Sequence, residues 1–200
     1  MMKRLLATLV ILTGLIGSGG DVWADDFKEG VKAYNSGDFK TALRKWKPLA
    51  EQGDAYAQFN IGLMYKMGDG VTQDNAEALK WYRKAAEQGH AAAQNNLGGM
   101  YERGVGVTKD YAEAVKWYRK AAEQGYVFAQ FNIGLMYKRG DGVLQDTIAA
   151  HMWFNIAAAN GNNAAVKNRD TVAEELTKAD IFEAQKRAKR CVASGYKDCY

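Results

Sequence analysis

The chain has 200 residues, 48% of them hydrophobic, and its 27 basic and 23 acidic side chains give a formal net charge of +4. A charge this balanced, with no Lys/Arg run interleaved with aromatics, excludes an electrostatic nucleic-acid binder. The single proline, Pro48, fits a chain that is nearly all helix.

Residues 1–24 carry Lys3 and Arg4, an apolar run from Leu5 to Ile16 and a Gly/Ser-rich segment ending Val22-Trp23-Ala24. This pattern predicts a cleaved export signal with processing before Asp25, since the apolar core is too short to span a bilayer comfortably. Its removal leaves 25 basic and 22 acidic side chains, a net +3. The chain is then expected to be periplasmic or secreted, with no membrane insertion after processing. The alternative is an uncleaved N-terminal anchor. No cysteine lies near the processing point, which excludes a lipoprotein anchor.

Residues 25–53 read as an N-terminal capping helix pair. Phe27, Val31 and Tyr34 share one face, Asn35-Ser36-Gly37 turns the chain, and Asp38 caps a helix carrying Ala42, Trp46, Leu49 and Ala50. Trp46, 35 residues before Trp81, is assigned to the slot of the later tryptophans. Pro48 inside this helix predicts a kink.

From Asp54 the chain repeats itself. Residues 54–89, 90–125 and 126–161 align at a shift of 36, and Ala57, Gly62, Met64, Tyr65, Gly68, Gly70, Val71, Asp74, Ala78, Trp81, Ala85, Ala86 and Gly89 recur in both later copies. In each unit Ala57, Ile61 and Tyr65 set a helical stripe, and Gly68 and Gly70 end the helix and turn the chain. Asp74 then caps a second helix, with Glu77 three residues on as a capping box; Asp110 and Glu113 repeat this, and Asp146 keeps the cap alone. Ala78, Trp81, Tyr82, Ala85 and Ala86 are expected to form its buried side. Two short helices bury too little alone, so each unit has to stack on the next.

The pattern A-x-x-x-[IL]-G-x-M-Y-x-x-G-x-G-V-x-x-D-x-x-x-A-x-x-W-[YF]-x-x-A-A-x-x-G resembles the Sel-one-like repeat family, relatives of the tetratricopeptide repeat. The resemblance implies an all-α fold, a right-handed α-solenoid of about five antiparallel helix pairs, used as a non-catalytic scaffold that binds another protein or peptide. Residues 162–200 are then the C-terminal capping pair. Their A-Q-x-x-A-x-x-C ending, here Ala184, Gln185, Ala188 and Cys191, is similar to closing helices of exported members. Cys191 and Cys199 are the only cysteines, and in an exported chain an isolated pair points to a disulfide; no histidine or further cysteine adjoins them for a metal, and the spacing is not C-x-x-C.

Catalytic chemistry finds little support. His90 and His151 are the only histidines, 61 residues apart, and are expected as cap or surface residues; no metal-ligand cluster, cofactor motif or small-molecule site is present. Ser194-Gly195-Tyr196-Lys197 matches the S-x-x-K of penicillin-recognising enzymes, so a weak β-lactamase-type hydrolase is the alternative function. It lacks S-D-N and K-T-G partners and a helix to hold serine over lysine. Asp69, Asp141, Asp74 and Asp146 lack the ligand spacing of a known calcium loop.

A partner is expected on the side of each first helix that stacking does not need. On a wheel with Ala57 at zero, positions 59, 63, 66 and 67 fall at about 180° to 280°, opposite the repeated stripe. There stand Phe59, Leu63, Lys66 and Met67; then Asn95, Gly99, Glu102 and Arg103; then Phe131, Leu135, Lys138 and Arg139, with Asn60, Asn96 and Asn132 at the margin placed to hold a peptide backbone. Phe59 and Phe131 read equally well as core. In the groove reading, truncating Phe131 and Leu135 abolishes capture and leaves the melting temperature nearly unchanged.

Overall fold

The computed structural model describes residues 20–199, and among them it contains ten helices and no strand. They are α1 (Gly20–Asn35), α2 (Phe39–Glu51), α3 (Ala55–Met67), α4 (Asn75–Glu87), α5 (Ala91–Arg103), α6 (Tyr111–Ala122), α7 (Val127–Arg139), α8 (Thr147–Ala159), α9 (Asn163–Ala173) and α10 (Lys178–Ala193). Residues 1–19 of the expected export signal lie outside the described part. The expected processing point before Asp25 falls inside α1, so the first helix begins ahead of the boundary read from sequence.

α1 to α8 form four helix pairs, and the second helix of each pair packs on the first helix of the next, which makes the solenoid. Local chemistry sets the ends. Asp74, Asp110 and Asp146 each accept the exposed N–H groups of the following helix, and Gly68, Gly104 and Gly140 close α3, α5 and α7 in the left-handed region at φ +75°, +68° and +75°. Glu77 and Glu113 pair with Lys80 and Lys116 one turn along, where a capping box was expected.

The second glycine of each G-x-G does a different job. A Cβ on Gly106 would lie 2.4 Å from the Asn75 carbonyl oxygen, and one on Gly142 2.4 Å from that of Tyr111, so each loop seats directly on the start of the preceding second helix. Within a unit, Gly62, Gly98 and Gly134 lie beneath the rings of Tyr82, Tyr118 and Phe154, at 2.7 to 2.8 Å from where a Cβ would be.

Trp46 follows the same rule one unit earlier. Its indole covers Gly30 as Tyr82 covers Gly62, and its Nε1–H donates to the Phe27 carbonyl at 3.1 Å. It therefore fills the slot of the repeat tyrosine, not the tryptophan slot assigned from sequence. The helix continues through Pro48 to Glu51, and the Pro48 carbonyl accepts from the Gln52 N–H.

The tryptophans divide into two kinds. Trp81 and Trp117, expected in the buried side, are half-buried and lie under Lys84 at 4.2 Å and Lys120 at 4.3 Å, whereas Trp153 is fully buried. The cause is α10, which packs on α8 and contributes Ala184, Ala188 and Cys191 to the cluster holding Trp153. On α8 the positions of Glu77, Lys80 and Lys84 become Ala149, Met152 and Ile156, so this helix is apolar on both faces and requires a cover. α9 packs on the opposite flank of α8, through Ala165 and Val172. The two closing helices thus clamp α8 between them.

Candidate partner-binding face

α5 and α7 meet through side chains of the face singled out from sequence. Asn132 Nδ2 donates to Asn95 Oδ1 at 3.0 Å, and Arg139 Nη1 donates to Glu102 Oε1 at 3.4 Å. Glu102 also accepts from the Tyr118 hydroxyl at 2.6 Å, and Arg139 lies 3.8 Å from Asp141. Burial first, and then the Glu102 carboxylate, raise the Tyr118 hydroxyl well above the ordinary tyrosine range, so it stays a donor.

Of the positions read from sequence, Phe59, Asn60, Leu63, Lys66, Asn95, Asn96, Glu102, Phe131, Asn132, Leu135 and Lys138 are half-buried, and Arg103 and Arg139 are exposed. Several also pack. Phe59 lies 5.7 Å from Tyr82 and stacks on His90 at 4.7 Å, while Phe131 lies 5.7 Å from Phe154 and joins Leu135 against the α8–α9 cluster. Their truncation therefore also removes packing contacts. Met67 is exposed, whereas Gly99 is buried beside the Arg103 guanidinium.

A second constellation escaped the sequence reading. Buried Gln58, Gln94 and Gln130 each donate Nε2–H to the carbonyl of the preceding second helix, at Ala50, Ala86 and Ala122, at 3.0, 3.0 and 3.4 Å. The Oε1 of each then accepts from Gln88, Gln124 or Asn160 at 2.8, 2.7 and 2.8 Å. The recurrence of glutamine at 58, 94 and 130 was the available signal, since a buried amide conserved in register has to be satisfied. A parallel ladder runs along the other end, where Arg83 donates to the Tyr101 hydroxyl and Arg119 Nη2 to that of Tyr137 at 2.7 Å.

The histidines are structural. His90 caps α5, its Nδ1 accepting from the Ala93 N–H at 3.2 Å. His151, expected as a cap or surface residue, is buried, with Nδ1 lacking a hydrogen-bond partner. Ser194 Oγ donates to the Cys191 carbonyl at 2.8 Å and accepts from the Lys197 and Asp198 N–H groups at 3.1 and 2.9 Å, so its hydroxyl is tied into the closing turn. Cys191 and Cys199 are bridged. Among the described residues no group of His, Cys, Asp or Glu is placed to hold a metal, and no helix is long and apolar enough to cross a membrane.

Stacked helical hairpins with glycine-seated loops and a first-helix face of mixed apolar and charged side chains define a helical-repeat scaffold. The Sel1 repeat model matches residues 55–90, 91–126 and 127–162, and the chain belongs to the Sel1-repeat family, whose members are generally protein-interaction scaffolds. Among solved structures, c5321, a protective antigen of uropathogenic Escherichia coli with an SLR fold, superposes with a TM-score of 0.72 at 36% identity, covering 78% of this chain and 34% of that one. A Sel1 repeat protein from Oxalobacter formigenes gives 0.60 at 42% identity over 65% of this chain and 98% of that one. Cysteine rich protein B of Helicobacter pylori gives 0.52 at 23% identity over 65% and 93%, a likeness of fold. A curated relative, the exopolysaccharide production negative regulator of Rhizobium leguminosarum bv. viciae, is 43% identical over 54 residues. The match spans 27% of this chain and only 20% of that regulator's length.

Proposed function

We propose that this protein is a non-catalytic adaptor of the bacterial cell envelope, periplasmic or secreted, that holds a partner protein or peptide on the first-helix face of α3, α5 and α7. The observation that carries the reading is the chemical division of that face. Stacking uses Ala57, Ile61 and Met64 and their equivalents to full burial, and leaves Leu63, Lys66, Arg103, Lys138 and Arg139 partly or wholly open.

A regulatory role fits this reading, since the curated relative is named as a negative regulator of exopolysaccharide production. The envelope placement is supported by the apolar run from Leu5 to Ile16 and by the Cys191–Cys199 bridge, which needs an oxidising compartment to persist. The hydrolase alternative receives no support from Ser194, whose hydroxyl hydrogen is given to a backbone carbonyl.

The test is affinity capture from envelope extract with the full chain and with the double variant Leu63→Ala/Leu135→Ala, followed by measurement of binding with the isolated partner. The expected result is loss of binding in the double variant with its helical content intact. Binding that survives the double variant contradicts the assignment of the face.

A further inference from the structure

The register between neighbouring units allows a comparison that the two seams of the face answer differently. Glu102 on α5 and Arg139 on α7, 37 residues apart, form an ion pair at 3.4 Å. The same two positions one unit earlier are Lys66 on α3 and Arg103 on α5. Where one seam holds opposite charges, the other holds two cations.

The register thus sets these two cations at the positions that pair in the neighbouring seam. The Lys66 ammonium is held below the ordinary lysine range, by burial first and then by the Arg103 charge. No carboxylate pairs with either among the described residues. Glu102 is engaged by Tyr118 and Arg139, and Asp69 accepts from the Tyr34 hydroxyl at 2.6 Å.

The backbone makes room for the arrangement. A Cβ on Gly99 would lie 3.0 Å from Arg103 Nη2 and 3.3 Å from the Tyr118 hydroxyl, so the guanidinium lies folded over the glycine. The flanking units have Leu63 and Leu135 at this position. Gly99 therefore interrupts the leucine positions of the flanking units, and the Arg103 guanidinium lies over the space a leucine would fill.

We propose that Lys66 and Arg103 form an anion slot that takes the aspartate or glutamate side chain of an extended partner segment whose flanking apolar residues rest near Leu63 and Leu135. The proposal rests on the first-helix face being the binding face. A guanidinium and an ammonium set in register without a paired carboxylate gain most from an incoming carboxylate, which accepts charge-assisted hydrogen bonds from both and relieves their repulsion. The slot thereby selects the partner by one acidic residue in an otherwise apolar stretch.

The test compares two synthetic peptide pools on the full chain, identical and degenerate in Leu, Val, Phe and Ser except for a central Glu in one and Gln in the other. The wild type is expected to bind the Glu pool about tenfold more tightly, the worth of one charge-assisted hydrogen bond over a neutral one. Lys66→Glu, which recreates the Glu–Arg pair of the neighbouring seam, is expected to melt at a higher temperature and to lose the preference for Glu. Equal binding of both pools by the wild type overturns the slot and leaves the face assignment standing. Retention of both pools by Leu63→Ala/Leu135→Ala overturns the face assignment instead. Binding of inorganic phosphate alone, with no Glu preference, marks an adventitious ion only and also overturns the slot, as does failure to retain either pool.

Discussion

Gln88 at the end of α4 donates its Nε2–H to Oε1 of Gln58 on α3 at 2.8 Å, and Gln58 in turn donates to the Ala50 carbonyl of α2 at 3.0 Å. One amide thus joins two successive pairs, adding a second donor to a carbonyl that also accepts the Gly53 N–H. The same link recurs through Gln94 and Gln130, so the stacking of units is fixed by directional bonds as well as by the apolar seam. Apolar contact tolerates a sliding of one hairpin over the next; a buried side-chain amide that has to reach two particular partners does not.

Replacing Gln94 by Leu keeps the volume near constant but removes its hydrogen bonds to the Ala86 carbonyl, which still accepts from the Gly89 N–H, and to Gln124, which still donates to the Lys120 carbonyl. A loss of about 1 kcal/mol is expected, the net worth of a hydrogen bond between buried groups. Gln124→Ala, at the exposed end of the same link, is expected to cost less than half of that. Urea denaturation of both variants reads the difference.

The close approach of the two helices within a unit predicts a second effect. Gly98→Ala would place a Cβ 2.8 Å from the Tyr118 ring and 3.2 Å from the Ala114 carbonyl, so α5 and α6 have to move apart. A loss of about 1–3 kcal/mol is expected from overpacking of this kind. Gly98→Ala combined with Tyr118→Leu is expected to recover part of it, because the ring that obstructs the methyl is gone. Thermal melts of the single and double variants make the comparison.

The closing helix gives a third. Cys199 and Tyr196 sit with Trp153 in one cluster, and Tyr196 also accepts from Asn160 Nδ2 at 3.1 Å, so the bridged loop holds α10 over α8. Cys191→Ser/Cys199→Ser removes the cross-link and is expected to cost about 2–3 kcal/mol by loop entropy. Ala188→Glu, which drives a carboxylate into the same cluster, is expected to detach α10. In a chain with its other tryptophans changed to Phe, the emission of Trp153 then shifts to the red.

Acid should loosen the array before its carboxylates titrate. Burial is the first cause holding both His90 and His151 below the ordinary imidazole range, and Arg169 on α9 adds to it for His151 while Asp170 opposes it. The unfolded chain takes up these protons at about pH 6.5 and the folded chain only at lower pH. Their contribution to stability is therefore complete above about pH 6.5 and is lost as the pH falls through the folded values. Leu79 and Val115 occupy the place of His151 in the earlier units. His151→Leu is expected to raise the stability by about 1 kcal/mol, by removing a buried nitrogen without a partner, and to flatten the limb between pH 7 and 5. His90→Asp, which copies the Asp54 cap, should flatten what remains. Melting temperature against pH for the two variants checks the sign.

The repeat made most of the fold legible. Thirteen positions in register located the hairpins, and Asp74, Gly68 and their equivalents marked ends that the structure places within a residue. What failed did so where one position has two neighbours. Trp81 and Trp153 share a register, yet one is half-buried under Lys84 and the other is covered by α10, and only the loss of Glu77, Lys80 and Lys84 from α8 records the difference. Trp46 was misassigned because a distance of 35 was accepted in a period of 36; counting from Tyr82 gives the full period. On the proposed binding face the wheel separated the stacking stripe from its opposite side, but a single helix cannot reveal that Phe59 leans on Tyr82 and His90 and Phe131 on Phe154. The pairing of Lys66 with Arg103 appears only when two units are laid side by side.

The proposed function requires that another protein is held on the first-helix face. Site-specific benzophenone photo-cross-linking tests this most directly, with the probe at Leu63 or Leu135 on that face and at Lys84 or Lys120 on the second helices. Partner adducts are expected from positions 63 and 135 and not from 84 and 120. Adducts confined to the second-helix positions would contradict it.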